Sequence, residues 1–151
     1  MKNVIKIIFI CFFIGCPKVY SQGSATENDI KTAFIFHFLN YTEWNDDSSE
    51  LNVCIEDDTD LRSTAKVHLD ERVIKGRTIK VVRKAASCHI LISEVSPDTD
   101  HMLTIGNLSD GAVFEFRKLN DKLRFAVNLA KVKESKLKIS SQLLKLAIVE
   151  E

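Results

Sequence analysis

The feature that most constrains the fold is an aromatic segment at residues 30–44, IKTAFIFHFLNYTEW. If the segment is helical, its apolar side chains point almost all the way round it. A helix of this kind is buried in a protein core, in a membrane or against a partner. We expect this one to pack against a sheet on one side, and against the last helix or another subunit on the other.

The rest of the chain alternates short strands with helices. The first helix is expected from Thr26 to about Tyr41, with Thr26, Asn28 or Asp29 as its cap. Further patterns predict helices at residues 59–71 and 142–150, strands at 51–57, 77–83, 88–93 and 102–106, and a hairpin in 112–129 that turns at Leu119-Asn120-Asp121. This order predicts a single α/β domain. It has a mixed, largely parallel sheet flanked by helices, with a C-terminal β-hairpin and helix.

Residues 1–21 have the pattern of an export signal. Two lysines lead into an apolar run at residues 7–15, which is too short to span a bilayer. Cleavage after this segment would leave residues 22–151 as one soluble exported domain. As an alternative, FIGC at residues 13–16 resembles a lipobox, in which Cys16 is lipidated and becomes the first residue. Both routes predict export.

The exported domain retains Cys54 and Cys88. Disulfides form and persist outside the cytoplasm, so a bond between these two cysteines is the simplest assignment. Two buried free thiols are the alternative, and they would suit a cytosolic protein better.

The charge of the exported domain is mildly acidic and unevenly distributed. Removal of residues 1–21 takes away three of the 21 basic residues and none of the 21 acids. Residues 22–60 contain ten acids and one lysine, whereas residues 61–151 contain 17 basic and 11 acidic residues. A surface of this kind suits steering toward a protein partner, and nothing in it predicts nucleic-acid binding.

Motifs for catalysis or cofactor binding do not occur in the sequence. It has no glycine-rich phosphate loop, dinucleotide fingerprint or nucleophile elbow. Its four histidines are not spaced as metal ligands, and the acidic run EDDTD at residues 56–60 lacks the glycine and the closing glutamate of a calcium loop. We therefore expect no enzyme activity, no metal and no cofactor.

Taken in order, several segments resemble the YfiR family. They are IKTAFIFHFLNYTEW, LNVCIEDD, GRTIKVV, SCHILIS, LTIG and LRFAVNLAKVKESKLKISSQLLKLA. The resemblance covers about residues 28–149, and the closing segment is its most specific part.

The resemblance implies a non-enzymatic periplasmic regulator, residues 22–151, that tends to dimerise. Such a regulator binds the periplasmic domain of an inner-membrane diguanylate cyclase, represses it, and so controls cyclic di-GMP and biofilm formation. A sensor histidine kinase is the alternative partner. Cys54 and Cys88 fall where the family has its structural disulfide, which agrees with the assignment from the compartment.

The sequence departs from the family pattern in two places. Leu108 and Glu115 stand in the region where some members have a second, short-range disulfide. Ala126 stands where many members carry an acid, which implies recognition of a different partner if that acid contributes to binding.

The expected partner-binding residues lie in the hairpin, in the segment after it and at the end of the aromatic helix. They are Phe114, Phe116, Ala126, Leu129, Val132, Tyr41 and Trp44. Core packing is the alternative for Phe114 and Phe116, which share one strand face. A different function, binding of a small periplasmic ligand, would use a cleft at the carboxyl ends of the parallel strands, near the acidic turn after LNVCIED.

Overall fold

A computed structural model describes residues 23–97 and 100–150. The expected signal peptide at residues 1–21 and the alternative lipidation site at Cys16 lie outside the described residues. The helices are α1 (Glu27–Tyr41), α2 (Thr59–Leu69), α3 (Leu129–Glu134) and α4 (Ser141–Leu144), with one 3₁₀ turn at Leu108–Asp110.

The aromatic segment forms α1 as expected, and local signals fix where the helix starts. The Thr26 side chain accepts a hydrogen bond from the Asp29 backbone N–H, and the Asp29 side chain accepts one from the Thr26 N–H. This capping box satisfies two of the free donors at the start of the helix. Two acids in the first turn further favour this end, because the helix dipole is positive there.

The strands form one large sheet and one two-stranded sheet. Their bounds are β1 (Thr42–Glu43), β2 (Glu50–Ile55), β3 (Val73–Ile74), β4 (Arg77–Val82), β5 (Ile90–Ile92), β6 (Leu103–Ile105), β7 (Phe114–Leu119), β8 (Lys122–Asn128), β9 (Lys138–Ile139) and β10 (Ile148–Glu150). The large sheet has the order β10-β8-β7-β6-β5-β2-β4-β3, and β1 pairs with β9. Only β3 with β4 and β7 with β8 pair antiparallel in the described large sheet, which confirms the expected mixed, largely parallel α/β fold.

The core lies between the large sheet and the helices α1 and α2. Alternate residues of each strand face this layer, as Leu51, Val53 and Ile55 of β2 do, because successive side chains of a strand point to opposite faces. From α1, the fully buried Phe38 stacks on Phe114 of β7 with ring centroids 4.6 Å apart. A ring pair of this kind contributes about 0.5–1.5 kcal/mol beyond its area burial.

The aromatic helix is therefore accounted for by packing within the domain. It contacts α2, α4 and β8, and its side chains Ile35, Phe38 and Leu39 are wholly buried. Among the described residues, no helix is long and apolar enough to cross a membrane.

The end of the chain differs from the expected helix at residues 142–150. The helix α4 stops at Leu144, and Ile148–Glu150 continue as strand β10, parallel to residues 126–128 of β8. The apolar pattern at residues 143–148 fitted a helix. Without β10, however, β8 would present a row of unpaired backbone groups at the edge of the sheet. Pairing satisfies those groups and brings Ile148 against the small cluster of Leu108, Ala112 and Ala126.

The hairpin turn lies where the sequence predicted it. Leu119 pairs with Lys122, and Asn120 and Asp121 between them both have positive φ, 49° and 60°. Two consecutive left-handed residues make the type I′ turn that matches the twist of a two-residue hairpin, and Asn and Asp tolerate this conformation well.

Candidate functional site

A cleft lies at the carboxyl ends of the parallel strands. It has a volume of about 760 Å³ and is bordered by residues that follow β2, β5 and β6. Its apolar lining comes from Ile92, Ile105 and Phe116. We name it the switch-point cleft; its full lining is Asp57, Asp58, Thr59, Asp60, Ile92, Ser93, Glu94, Ile105, Gly106, Asn107, Asp110 and Phe116.

The topology of the sheet explains why a cleft forms at this position. From β2 the chain passes through α2 to β4 on one side, and it then crosses to β5 on the other side and continues outward to β6. The loops after β2 and β5 therefore diverge. Open α/β sheets bind ligands at such switch points, outside the carboxyl ends of the strands.

The rim of the switch-point cleft is acidic. Asp57, Asp58, Asp60, Glu94 and Asp110 line it, and within the part of the chain that the structure describes none of them forms an ion pair. These carboxylates give the cleft an uncompensated negative charge, which favours positively charged ligands or protein segments.

One of these acids, Asp58, also stabilises the fold. The Asp58 side chain caps α2 by accepting a hydrogen bond of 2.8 Å from the Leu61 backbone N–H. Arg62 forms no ion pair with these carboxylates among the described residues. Its Nη1 donates to the backbone oxygens of Ile55 and Glu56 at 2.6 and 3.2 Å, and its Nη2 donates to Thr59 Oγ1 at 3.2 Å. The cation nearest in sequence is thus engaged at the end of β2. Among residues 23–97 and 100–150, no group of three or more His, Cys, Asp or Glu side chains is arranged to hold a metal.

A polar cluster around the buried His89 closes the amino ends of the strands. His89, just before β5, is 4% exposed and lies against Asp46 of the loop between β1 and β2 and Arg77 of β4. The His89 Nε2 lies 2.8 Å from Asp46 Oδ2, while Arg77 Nη2 pairs with Asp46 Oδ1. The indole of Trp44 meets the His89 ring edge-on, with centroids 5.4 Å apart.

A backbone bond assigns the protonation state of His89. The Asn52 backbone N–H donates to His89 Nδ1 at 2.9 Å, so Nδ1 carries the lone pair and a neutral ring has its proton on Nε2, which donates to Asp46. Burial lowers the pKa of His89, and the hydrogen bond and charge of Asp46 offset this only in part. Burial raises the pKa of Asp46, but the Ser48 N–H, His89 and Arg77 together bring it below its usual value.

The structure contains the expected Cys54–Cys88 disulfide, with Cα atoms 5.9 Å apart. Cys54 is wholly buried in β2, on the sheet face away from α1, and Cys88 precedes β5. The bond links the strand at the centre of the fold to the segment that carries His89.

The expected partner-binding residues fall into two groups by exposure. Phe114 and Ala126 are 0% exposed, so a partner bound to this structure would not touch them. Phe114 is held in the core by Phe38, and Ala126 is held by Leu108 and Ala112 on the opposite face of the sheet. The partly exposed group comprises Phe116, Leu129, Val132, Tyr41 and Trp44.

The partly exposed group is divided between the two ends of the sheet. Phe116 lines the switch-point cleft at the carboxyl ends. Tyr41 and Trp44 follow the C-terminal end of α1, and Leu129 and Val132 lie on α3 after β8, which runs antiparallel to β7. These four residues therefore lie toward the amino ends of the parallel strands.

A polar link joins Leu108 to Glu115. The Leu108 N–H donates to Glu115 Oε2 at 3.0 Å, and Glu115 pairs with Arg117 at 2.9 Å. Arg117 also pairs with Glu150 of β10, so the C-terminal strand is attached to β7 through side chains. The hydrogen bond from Arg117 is the main cause of the lowered pKa of Glu115, which agrees with a carboxylate that remains charged.

Residues 28–148 match the model of the family described as YfiR/HmsC-like. The chain belongs to the YfiR/HmsC-like family. No curated protein matches the chain. The YfiR-like family is periplasmic, regulatory and non-catalytic, and its members generally interact with a membrane signalling protein.

Sequence reasoning anticipated part of this site. It placed the acidic turn after LNVCIED at a strand end, and the structure has Asp57 and Asp58 there, at the switch-point cleft. It missed the cluster of Asp46, Arg77 and His89, because these residues are far apart in the chain and form no motif. It also missed Phe116 as part of the cleft, since its position there depends on the pairing of β6 with β7.

Proposed function

We propose that the chain is a non-enzymatic periplasmic regulator that binds the periplasmic domain of an inner-membrane signalling protein and represses it. The match of residues 28–148 to the YfiR/HmsC-like family carries this proposal. A diguanylate cyclase is the proposed partner, so that release of the regulator raises cyclic di-GMP and favours biofilm formation. A sensor histidine kinase is the alternative partner. In either case the regulator can shift the partner's equilibrium between two signalling states only as far as its affinities for those states differ.

The exposed chemistry of the domain supports a role in protein binding. Partly exposed aromatic side chains lie at both ends of the sheet, and two of them, Tyr41 and Trp44, are of the types enriched among the residues that dominate binding energy. The negative rim of the switch-point cleft would speed association with a positively charged partner surface, an effect that salt screens.

Capture from native membranes tests the proposal. A tagged full-length chain is crosslinked in cells, purified and analysed for partners by mass spectrometry. We expect a transmembrane diguanylate cyclase to be captured, and we expect deletion of the regulator to raise cyclic di-GMP. Capture of a sensor kinase would move the output to phosphotransfer, and repeated absence of any membrane signalling protein would reject the regulator role.

Two sets of variants identify the end of the sheet that binds. Phe116→Ala changes the carboxyl end, and Tyr41→Ala with Leu129→Ser changes the amino end. Val67→Ala, on the exposed face of α2 where Val67 is 81% exposed, is the matched control. We expect one set to reduce capture while the control and the melting temperatures remain close to wild type. Equal capture by every variant would mean that the partner contacts neither group of residues.

We also propose that the chain forms a homodimer. The outer edge of β10 pairs with no other strand in the described ranges, and Val149 on β10 and the nearby Leu146 are 49% and 52% exposed. An unpaired edge strand is a ready template for pairing with a second chain. Light scattering after gel filtration tests this: a dimer that Val149→Lys dissociates supports pairing at this edge, and a monomer at all concentrations contradicts it.

A second candidate function is binding of a small periplasmic ligand in the switch-point cleft. Its volume of about 760 Å³ falls within the usual range for ligand pockets, and its place at the strand ends favours this function. Because the rim carries unpaired carboxylates, we expect cationic ligands to be preferred over anionic ones. Thermal unfolding with a metabolite panel tests this, since a ligand at 100 times its Kd stabilises by about 2.7 kcal/mol. Phe116→Ala should abolish the shift.

A further inference from the structure

The His89 ring makes two hydrogen bonds, and the one at Nδ1 requires the neutral form of the ring. Nδ1 accepts from the Asn52 backbone N–H, and Nε2 donates to Asp46. A second proton on the ring would go to Nδ1, where it would point at another N–H. Donor would then face donor in a site that is 4% exposed, with little water to separate them.

We propose that His89 is a proton-sensitive latch that ties the segment of residues 43–49 to the amino ends of β2 and β5. In the neutral form, the ring joins Asn52 of β2 to Asp46 of the segment. In the protonated form the Asn52 bond is lost, and the ring follows the carboxylate of Asp46. Trp44 then loses the ring against which its edge packs.

The surroundings of the ring favour the neutral form. The charged groups that face it are Asp46 from the segment and Arg77 from β4, whose Nη2 lies 2.9 Å from Nε2. From β2 it meets only the backbone N–H of Asn52, and from the segment also the indole of Trp44. Burial and the Arg77 charge lower the pKa of His89, while Asp46 acts in the opposite direction.

The direction of the stability change follows from this shift. Above the ordinary histidine pKa of about 6.5, the ring is neutral in both the folded and the unfolded chain. As the pH falls below that value, the unfolded chain takes up a proton before the folded one, so the folded state loses stability down to the folded pKa of His89. Protonation of the folded chain below the lowered pKa of His89 then opens the latch and weakens the segment that holds Trp44.

The chain carries its own reporter, because Trp44 is its single tryptophan. Fluorescence of the purified, disulfide-bonded protein is followed from about pH 7.5 to 4.5, a range that includes the ordinary histidine pKa. We expect a red shift of the Trp44 emission, with a midpoint below the ordinary histidine pKa of about 6.5. Emission that stays constant, or a His89 ring whose NMR titration has the ordinary histidine pKa, overturns the latch.

Variants separate the latch from general acid unfolding. His89→Asn keeps an acceptor near the Nδ1 position and should remove the pH-dependent red shift, whereas His68→Asn, at the exposed ion pair with Asp29, should leave it unchanged. If His89→Asn does not fold, two other substitutions give opposite results. Asp46→Asn should move the midpoint to lower pH and Arg77→Gln should move it to higher pH, because the two groups act on His89 in opposite directions. Midpoints that do not move, or that move together, contradict the proposal.

One consequence rests on the proposed function. If the partner contacts Tyr41 and Trp44, its binding should weaken in mild acid for the wild type but not for His89→Asn. The fluorescence and NMR measurements need no partner, so failure of the latch and failure of the regulator role are distinguishable.

Discussion

The two ends of the parallel strands differ in whether their charged side chains are paired. At the carboxyl ends, five carboxylates line an open cleft and none is in an ion pair within the described residues. At the amino ends, Asp46, Arg77 and His89 satisfy one another beneath Trp44. Paired groups stabilise the fold, whereas uncompensated like charges destabilise it unless something outside the domain meets them. The open carboxylates at the carboxyl ends suit a positively charged ligand or partner, whereas the paired groups at the amino ends are those of the proposed latch.

The largest expected effect concerns the core between the two ends. Phe114→Ala should lower the free energy of unfolding by about 3–5 kcal/mol, because it removes a buried ring and leaves a cavity beside Phe38 and Phe125. Phe116→Ala, two residues along the same strand face, should cost less because Phe116 is partly exposed. Urea denaturation measures both, and equal losses would contradict the distinction between core and cleft residues.

Opening the disulfide should have the next largest effect. Cys88→Ser frees a loop closed over a sequence separation of 34 residues, and we expect a loss of about 2–4 kcal/mol and a lower melting temperature. The double variant of Cys54 and Cys88 should lose little more than the single one, since either change opens the same bond. If the double variant loses as much stability as the two single variants added together, packing of the cysteines, and not the bond, stabilises the domain.

A matched pair of neutralising substitutions tests the comparison of the two ends directly. Asp46→Asn should cost about 1 kcal/mol, because His89 and Arg77 lose their charged partner. Glu94→Gln at the switch-point cleft should change stability by no more than about 0.5 kcal/mol in either direction. Denaturant titrations at neutral pH measure both. If Glu94→Gln costs as much as Asp46→Asn, the cleft carboxylates are structural.

An effect smaller than that of Asp46→Asn is expected at the start of α1. Hydrogen bonds from Lys118 and Lys31 lower the pKa of Glu27 to about 2. Its contribution is therefore complete above the ordinary pKa of 4.5 and is lost as the pH falls toward 2. Since Glu27 is exposed to solvent, Glu27→Gln should cost less than about 1 kcal/mol at neutral pH. The difference from wild type should disappear in acid, and a difference that persists there would mean that Glu27 stabilises the helix in another way.

Local patterns were sufficient for the elements whose cause is local. The start of α1 near Thr26, the strand β4 and the turn at Asn120 and Asp121 depend on neighbouring residues, and all three were predicted from the sequence. The order of strands and helices was also enough to give the fold class. By contrast, the two-residue strands β1, β3 and β9 exist only through their pairing partners, and two residues are too few to show a period.

The sequence by itself predicted an α/β domain and made a disulfide between Cys54 and Cys88 the simplest assignment, because hydrophobic period, capping and cysteine number are properties of the chain alone; the structure contains both. Tertiary structure decided which residues are buried, which are exposed and which are brought together. It turned residues 148–150 into a strand by giving them the open edge of β8, buried Phe114 while leaving Phe116 at the cleft, and brought Asp46 and Arg77 to His89. Each of these outcomes depends on contacts between residues distant in the chain, whose energies no local pattern contains.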